Sequence, residues 1–226
     1  NGTTGYEEAA GQGVIAGINA VRRIRGAEPV VLGRDDAYIG VLVDDLVTRG
    51  VDEPYRLFTS RSEFRLLLRQ DNALRRLLPL AERLGLLTDA EVRSAERRLK
   101  AEEAALDLAR ETTITPVQAA QPLAASGTML SESERVAVVA KRPGVSLGEL
   151  FSAAGVAELP PADAVLAAEI ELKYDGYLAR EREAAARLAE LAAFALPVDL
   201  PYLDLHTLAT EARQKVDRVR PSSLAQ

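Results

Sequence analysis

The sequence predicts a mainly α-helical chain with at most short strands, and three observations carry that expectation. Alanine and leucine abound while aromatic residues make up only 4%. That balance favours helices over sheets, which draw on aromatic and β-branched side chains. Helix-start signals, a Ser or Thr followed three residues later by Glu, recur at Thr4, Ser60, Thr88, Ser131 and Ser146. Two long stretches, 88–112 and 162–195, space their apolar residues by three and four, the period of a helix with one buried face.

Taken in order, residues 5–25 read as a helix opened by Thr4 and Glu7 and stopped by Gly26. Ala9, Gly13 and Gly17 line one face of it. Each interior glycine costs about 1 kcal/mol against alanine, a cost that close packing against another surface would offset. Asp35 or Asp36 starts a second helix, Ala37 to Arg49, stopped by Gly50. PYRLFT after Glu53 reads as a short extended piece, and Ser60 with Glu63 opens a helix to Arg69. Pro79 suits the first turn of a short helix ended by Gly85. Thr88 and Glu91 cap a long helix to about Thr112.

Residues 112–160 are broken by Pro116, Pro122, Gly127, Pro143, Gly144, Gly148 and Gly155, with short helices expected after Ser131 and Ser146. A second long helix follows over 162–195, with a seam through Ile170, Tyr174, Tyr177, Glu181, Ala184, Leu188, Leu191 and Ala195. The earlier long helix has a matching seam at Val92, Ala95, Leu99, Glu102, Leu106 and Ala109, so the two are expected to pack side by side. They read equally as two ordinary amphipathic helices on a shared core. A last helix, about Leu208 to Val219, is stopped by Pro221.

Composition excludes several chemistries. With no cysteine the chain has no disulfide, thiolate nucleophile or cysteine–zinc site. A single histidine, His206, leaves little room for serine–histidine catalysis and reads as a turn residue near a helix start. No apolar run approaches the roughly 18 residues that span a bilayer, and the first twenty residues lack the form of a signal peptide. The net charge of −6 is unevenly spread. Residues 55–100 hold 11 basic and 6 acidic side chains, whereas residues 101–200 hold 8 and 16. A basic segment can face phosphates while the acidic part stays solvated.

Three clusters are candidates for function. Asn1, Gly2, Thr3, Thr4 and Gly5 form a small turn feeding a helix N-terminus, whose free amides suit an anionic or polar cofactor group, although most capped helices bind nothing. Arg61, Arg65 and Arg69, spaced by four, would share one helix stripe, with Arg56, Arg75 and Arg76 nearby. Such a row suits phosphate, and reads equally as a solvated face paired with Glu63 and Asp71. Asp35, Asp36, Asp44 and Asp45 could gather around a hard cation, but read better as helix caps and surface. No metal site and no catalytic residue is assigned to the chain.

Three blocks, NGTTGYEEAAGQGVIAGINA, GRDDAYIGVLVDDLVTRG and EPYRLFTSRSEFRLLLRQDNA, follow one another with the spacing of a known family. ELKYDGYLARE and EARQKVDRVRPSSLAQ agree further on. The chain resembles the C-terminal part of the GidA/MnmG family of flavoproteins that modify the tRNA wobble uridine. That resemblance implies FAD bound by an N-terminal dinucleotide domain, with NADH as reductant. It implies a cytoplasmic homodimer acting with a GTPase partner of the MnmE type, which supplies a folate-borne one-carbon unit. An aminomethyl-type group is placed on C5 of the uridine. By position, Asn1, Gly2, Thr3, Thr4 and Gly5 would lie against the flavin, and Arg56, Arg61, Arg65 and Arg69 would hold tRNA. The chain itself is expected to serve recognition and not chemistry, and to be inactive alone.

Four segments follow: residues 1–30, the terminal helix of a truncated FAD-binding domain; 31–112, a basic helical subdomain; 113–160, a linker of broken short helices; and 161–226, a long helix with a truncated C-terminal helical subdomain. A stand-alone helical interaction module without catalysis is the alternative. Ser62, Phe64, Leu74 and Gly11 depart from the family's usual alanine, tyrosine, aspartate and alanine, and Phe64 lacks the hydroxyl of the tyrosine it replaces.

Overall fold

The computed structural model describes residues 3, 5–48, 50 and 54–225. Among these the chain is mainly helical, as expected, with nine α-helices and one pair of two-residue antiparallel strands. It divides into two compact units. One comprises Asn1–Phe64 with Arg180–Gln226, the other Arg65–Ala179.

In the first unit, helix α1 spans Tyr6–Ile24 and α2 spans Tyr38–Thr48. The α1 N-cap is Gly5, and no side chain caps it; the expected partner Thr4 lies outside the described residues. Helices α1 and α2 pack at Gly11, where an added Cβ would lie 2.6 Å from Ile39. Glycine at this position therefore permits a close crossing. Asn19 ties the segment after α1 back to it: its amide donates to the Val30 carbonyl and its Oδ1 accepts the Val30 N–H, at 2.9 and 2.7 Å. Ala9, Gly13 and Gly17 stay exposed, and an added Cβ on Gly13 or Gly17 would meet nothing within 4 Å.

The helix expected from Ser60 to Arg69 does not form. Thr59–Arg61 make one 3-10 turn, Ser62 is extended, and turns and bends follow. Glu63 cannot cap the turn because its carboxylate is engaged by Arg34. The Ser62 hydroxyl instead accepts the Phe64 N–H at 3.1 Å. Helix α3, Ala73–Arg83, starts earlier than predicted and carries Pro79 in its interior, not its first turn. Gly85 does end that turn, at φ +65°.

Helix α4, Asp89–Glu111, has the full Thr88–Glu91 capping box. It buries Ala95, Glu102, Leu106 and Ala109 of its predicted seam, with Ala105 beside them, and leaves Val92 and Leu99 only half-buried. The sequence reading missed that Pro116 opens a helix. Thr115 and Gln118 form a second capping box for α5, Pro116–Leu123. It also missed strands β1, Thr113–Ile114, and β2, Glu134–Arg135, which pair through Thr113 with Arg135 and Ile114 with Glu134. Glu134, expected to cap a helix from Ser131, is thus in a strand, and α6, Val136–Val139, starts after it. Helix α7, Leu147–Ala153, begins at Ser146 as predicted but lacks the side-chain cap.

Helix α8 spans Ala162–Ala193. One core in the second unit joins Leu106 and Ala109 of α4, Ile114, Leu150, Phe151, and Val165, Ala168 and Leu172 of α8. The side-by-side packing holds, but the α8 seam was predicted on the wrong face. The buried stripe runs through Ala164, Val165, Ala168 and Leu172, and leaves Tyr174 and Tyr177 40% and 55% exposed. Helix α9, Thr210–Val219, closes on Arg220 in the left-handed region at φ 50°. His206 sits in the turn before α9, with Nδ1 2.9 Å from an Arg213 guanidinium nitrogen. No helix among the described residues is long and apolar enough to cross a membrane.

Candidate nucleic-acid interface

Two blocks far apart in sequence meet at the head of α1. Thr3 forms an isolated parallel bridge with Tyr55, and Gln12 donates to the Thr3 hydroxyl at 3.0 Å. Glu8, in the first turn of α1, accepts the Leu57 N–H at 3.0 Å, and the Arg56 guanidinium lies 3.4 Å away. The Leu57 amide, with Glu8's own amide and Arg56, holds the carboxyl below the usual glutamate range. Its carboxylate folds over Gly5, where any Cβ would collide with it. The helix terminus expected to present free amides is therefore covered by a carboxylate of its own chain. Of the cofactor candidates, Asn1, Gly2 and Thr4 lie outside the described residues, Thr3 is bridged to Tyr55, and Gly5 is the buried N-cap.

Beside this junction Arg34 is the centre of an ion-pair hub. One guanidinium nitrogen bonds Asp44 and Asp45, each at 2.8 Å. Another bonds Glu63 and the Arg61 carbonyl, at 3.0 and 3.1 Å. Burial opposes the charge on Arg34, but the hydrogen bonds it donates to Glu63, Asp45 and Asp44 more than reverse this, so it stays protonated. Asp45 is buried and also accepts the Tyr55 hydroxyl at 2.7 Å. Burial and that bond push the Tyr55 phenol up to about 12. The hub is reached through Gly33 and Gly40: a Cβ on Gly40 would collide with the Gly33 carbonyl. Asp36 accepts the Gly33 N–H at 2.8 Å and closes the turn before α2. Asp44 and Asp45 thus face a guanidinium, and no acidic or histidine cluster among the described residues could hold a metal ion.

The predicted arginines are not one stripe. Arg61 lies over the Tyr55 ring, 4.5 Å from its centroid, with its side chain 40% exposed and Asp45 at 4.0 Å. Arg56 is more open, at 57%. In the second unit, Arg65 is exposed and makes no hydrogen bond or ion pair among the described residues. Arg69 is only 14% exposed. It is held by Asp71 at 3.0 Å, Glu171 at 3.4 Å and the Leu66 carbonyl at 2.7 Å. Burial opposes its charge and the Asp71 and Glu171 bonds raise its pKa on balance. Arg75 likewise pairs with buried Glu102 at 3.1 Å. Sequence reasoning missed Glu8 and Arg34, and the pairing of Asp45 with Arg34, because these partners are distant in sequence, with no local spacing to mark them.

Known proteins are similar to this chain along its whole length. Residues 89–182 match the tRNA modifying enzyme MnmG/GidA C-terminal helical domain, and residues 184–226 the MnmG/GidA C-terminal helical bundle. Residues 1–28 match the glucose inhibited division protein A family. The chain is 48% identical over 230 residues to the tRNA uridine 5-carboxymethylaminomethyl modification enzyme MnmG of Chloroflexus aurantiacus, covering 100% of this chain and 35% of that protein. It is 46% identical over 239 residues to MnmG of Salinibacter ruber, again covering 100% and 35%. The form II crystal structure of Aquifex aeolicus GidA superposes with a TM-score of 0.74 at 40% identity, over 99% of this chain and 36% of that one. The chain thus spans about a third of the length of these relatives. The matched stretches 89–182 and 184–226 are those of a helical C-terminal region. The chain belongs to the MnmG/GidA family.

Proposed function

We propose that this chain is the recognition region of a flavin-dependent enzyme that installs an aminomethyl-type group on C5 of the tRNA wobble uridine. It acts within a full-length cytoplasmic homodimer, with a GTPase partner of the MnmE type. FAD, reduced by NADH, supplies the redox chemistry when bound, and this chain contributes only an edge of its site. Asn1 to Gly5 form that edge, with the glycine-lined face of α1 against the cofactor domain. The exposure of Ala9, Gly13 and Gly17 supports such a packing surface.

The chain's own task is to orient tRNA. Arg56, Arg61 and Arg65 hold the phosphate backbone, because their side chains retain solvent access. Arg69, enclosed by two carboxylates and a carbonyl, acts as a positioning residue that keeps its turn in shape. One observation carries the reading: Thr3 bridges Tyr55 while Glu8 binds Leu57, so the cofactor edge and the arginine segment are one physical piece.

The test is genetic complementation of cells lacking the full-length protein, read by mass spectrometry of tRNA nucleosides. The intact gene restores the modified wobble uridine. A gene whose Glu8–Leu57 and Arg34 contacts are broken leaves it unmodified although protein accumulates. Full modification by that variant would refute the proposal.

A further inference from the structure

We infer that Phe58 is a stacking platform for an unpaired base of the RNA substrate, flanked by Arg56 and Arg61 as phosphate ligands. This rests on the tRNA reading above and adds a residue to it. Phe58 is 60% exposed. An exposed phenylalanine alone means little, but this one stands on a fixed backbone. The preceding Leu57 N–H is held by Glu8, and the Phe58 carbonyl accepts the Arg61 N–H at 2.9 Å. The two aromatic rings of the segment have opposite fates. Tyr55 turns inward, its hydroxyl on Asp45 and its ring beneath Arg61; Phe58 turns out. Two residues before Phe58, Arg56 is 57% exposed, and three residues after it Arg61 is stacked on the Tyr55 ring.

An open aromatic face on a segment that carries arginines is chemistry that holds single-stranded nucleic acid, since every base offers a π-face and every nucleotide a phosphate. A duplex offers no such face, because its bases are already stacked. The occupant is therefore a loop nucleotide. Phe58 lies three residues, about 10 Å of extended chain, beyond the Tyr55 that bridges Thr3. A base held there stands close to the segment proposed to edge the flavin.

The experiment uses the full-length enzyme and measures affinity for an anticodon stem-loop RNA and for a fully paired RNA of equal charge, across salt. Phe58→Ala should weaken stem-loop binding by about 5- to 100-fold, leave the salt slope unchanged and spare the duplex. Phe58→Trp should restore binding and Phe58→Leu should not. A change under about twofold for Phe58→Ala, or full binding by Phe58→Leu, overturns the inference; the latter would mean that the ring packs against protein. Arg56→Ala separates the two proposals. If it lowers the slope by about 1 while Phe58→Ala is silent, only the stacking role falls. If neither change alters stem-loop binding, the RNA reading falls with it.

Discussion

The Glu8 carboxylate accepts the Leu57 N–H at 3.0 Å, 49 residues away in sequence, and so joins the first turn of α1 to the arginine-bearing segment. Because Glu8's pKa is depressed, its contribution is present above the ordinary glutamate range and is lost as pH falls through the lower folded value. Glu8→Gln should remove that pH dependence and lower the exchange protection of the Leu57 amide. Hydrogen exchange, corrected for intrinsic rate and followed from neutral pH into the acid range, checks this.

Arg34→Ala should destabilise the chain by about 3 kcal/mol, because it takes from the buried carboxylate of Asp45 its nearest guanidinium. Arg34→Lys should recover little, since one ammonium cannot replace a fork that reaches three carboxylates and a carbonyl. Urea midpoints of the two variants decide it.

Tyr55→Phe should cost roughly 1–3 kcal/mol by removing one of Asp45's partners. In the unaltered chain the phenol is raised to about 12. Its share of stability is therefore whole below the unfolded value near ~10 and lost as pH rises through the folded one. A spectrophotometric tyrosine titration should show one late phenol that Tyr55→Phe abolishes.

Gly40→Ala should be poorly tolerated, because the Gly33 backbone occupies the space. Gly13→Ala and Gly17→Ala meet nothing in this chain and should raise its stability by up to ~1 kcal/mol each. In a full-length enzyme with a cofactor domain on that face, the same changes should lower flavin occupancy. Thermal melts of the chain, set beside flavin absorbance of the full-length enzyme, test both signs.

Most helices were legible in the sequence because their signals are local. The Thr88–Glu91 box starts α4 where expected, and the apolar spacing of α4 marks its buried face. Two failures show what local signals omit. Ser60 and Glu63 match a capping box, but Glu63 is drawn to Arg34, 29 residues away, and the turn unwinds into an extended segment. The seam through Tyr174 and Tyr177 has helical spacing, yet the buried stripe runs through Ala164, Val165, Ala168 and Leu172, half of it alanine. Small residues leave a faint pattern. The two-residue strands were invisible because alternation needs a longer run. The candidate arginines were nameable, and so was Asp71 beside Arg69, but Glu171, which also holds Arg69, is 102 residues away and only the fold brings it near.

The central claim is that Arg56, Arg61 and Arg65 hold the tRNA backbone while Arg69 holds the fold. The direct measurement is the slope of log affinity against log salt for tRNA and the full-length enzyme. Replacing the first three by alanine should lower the slope by about 2–3. Arg69→Ala should lower thermal stability and leave the slope unchanged below its melting point. An unchanged slope for the triple variant, or a lower slope for Arg69→Ala at full stability, would contradict it.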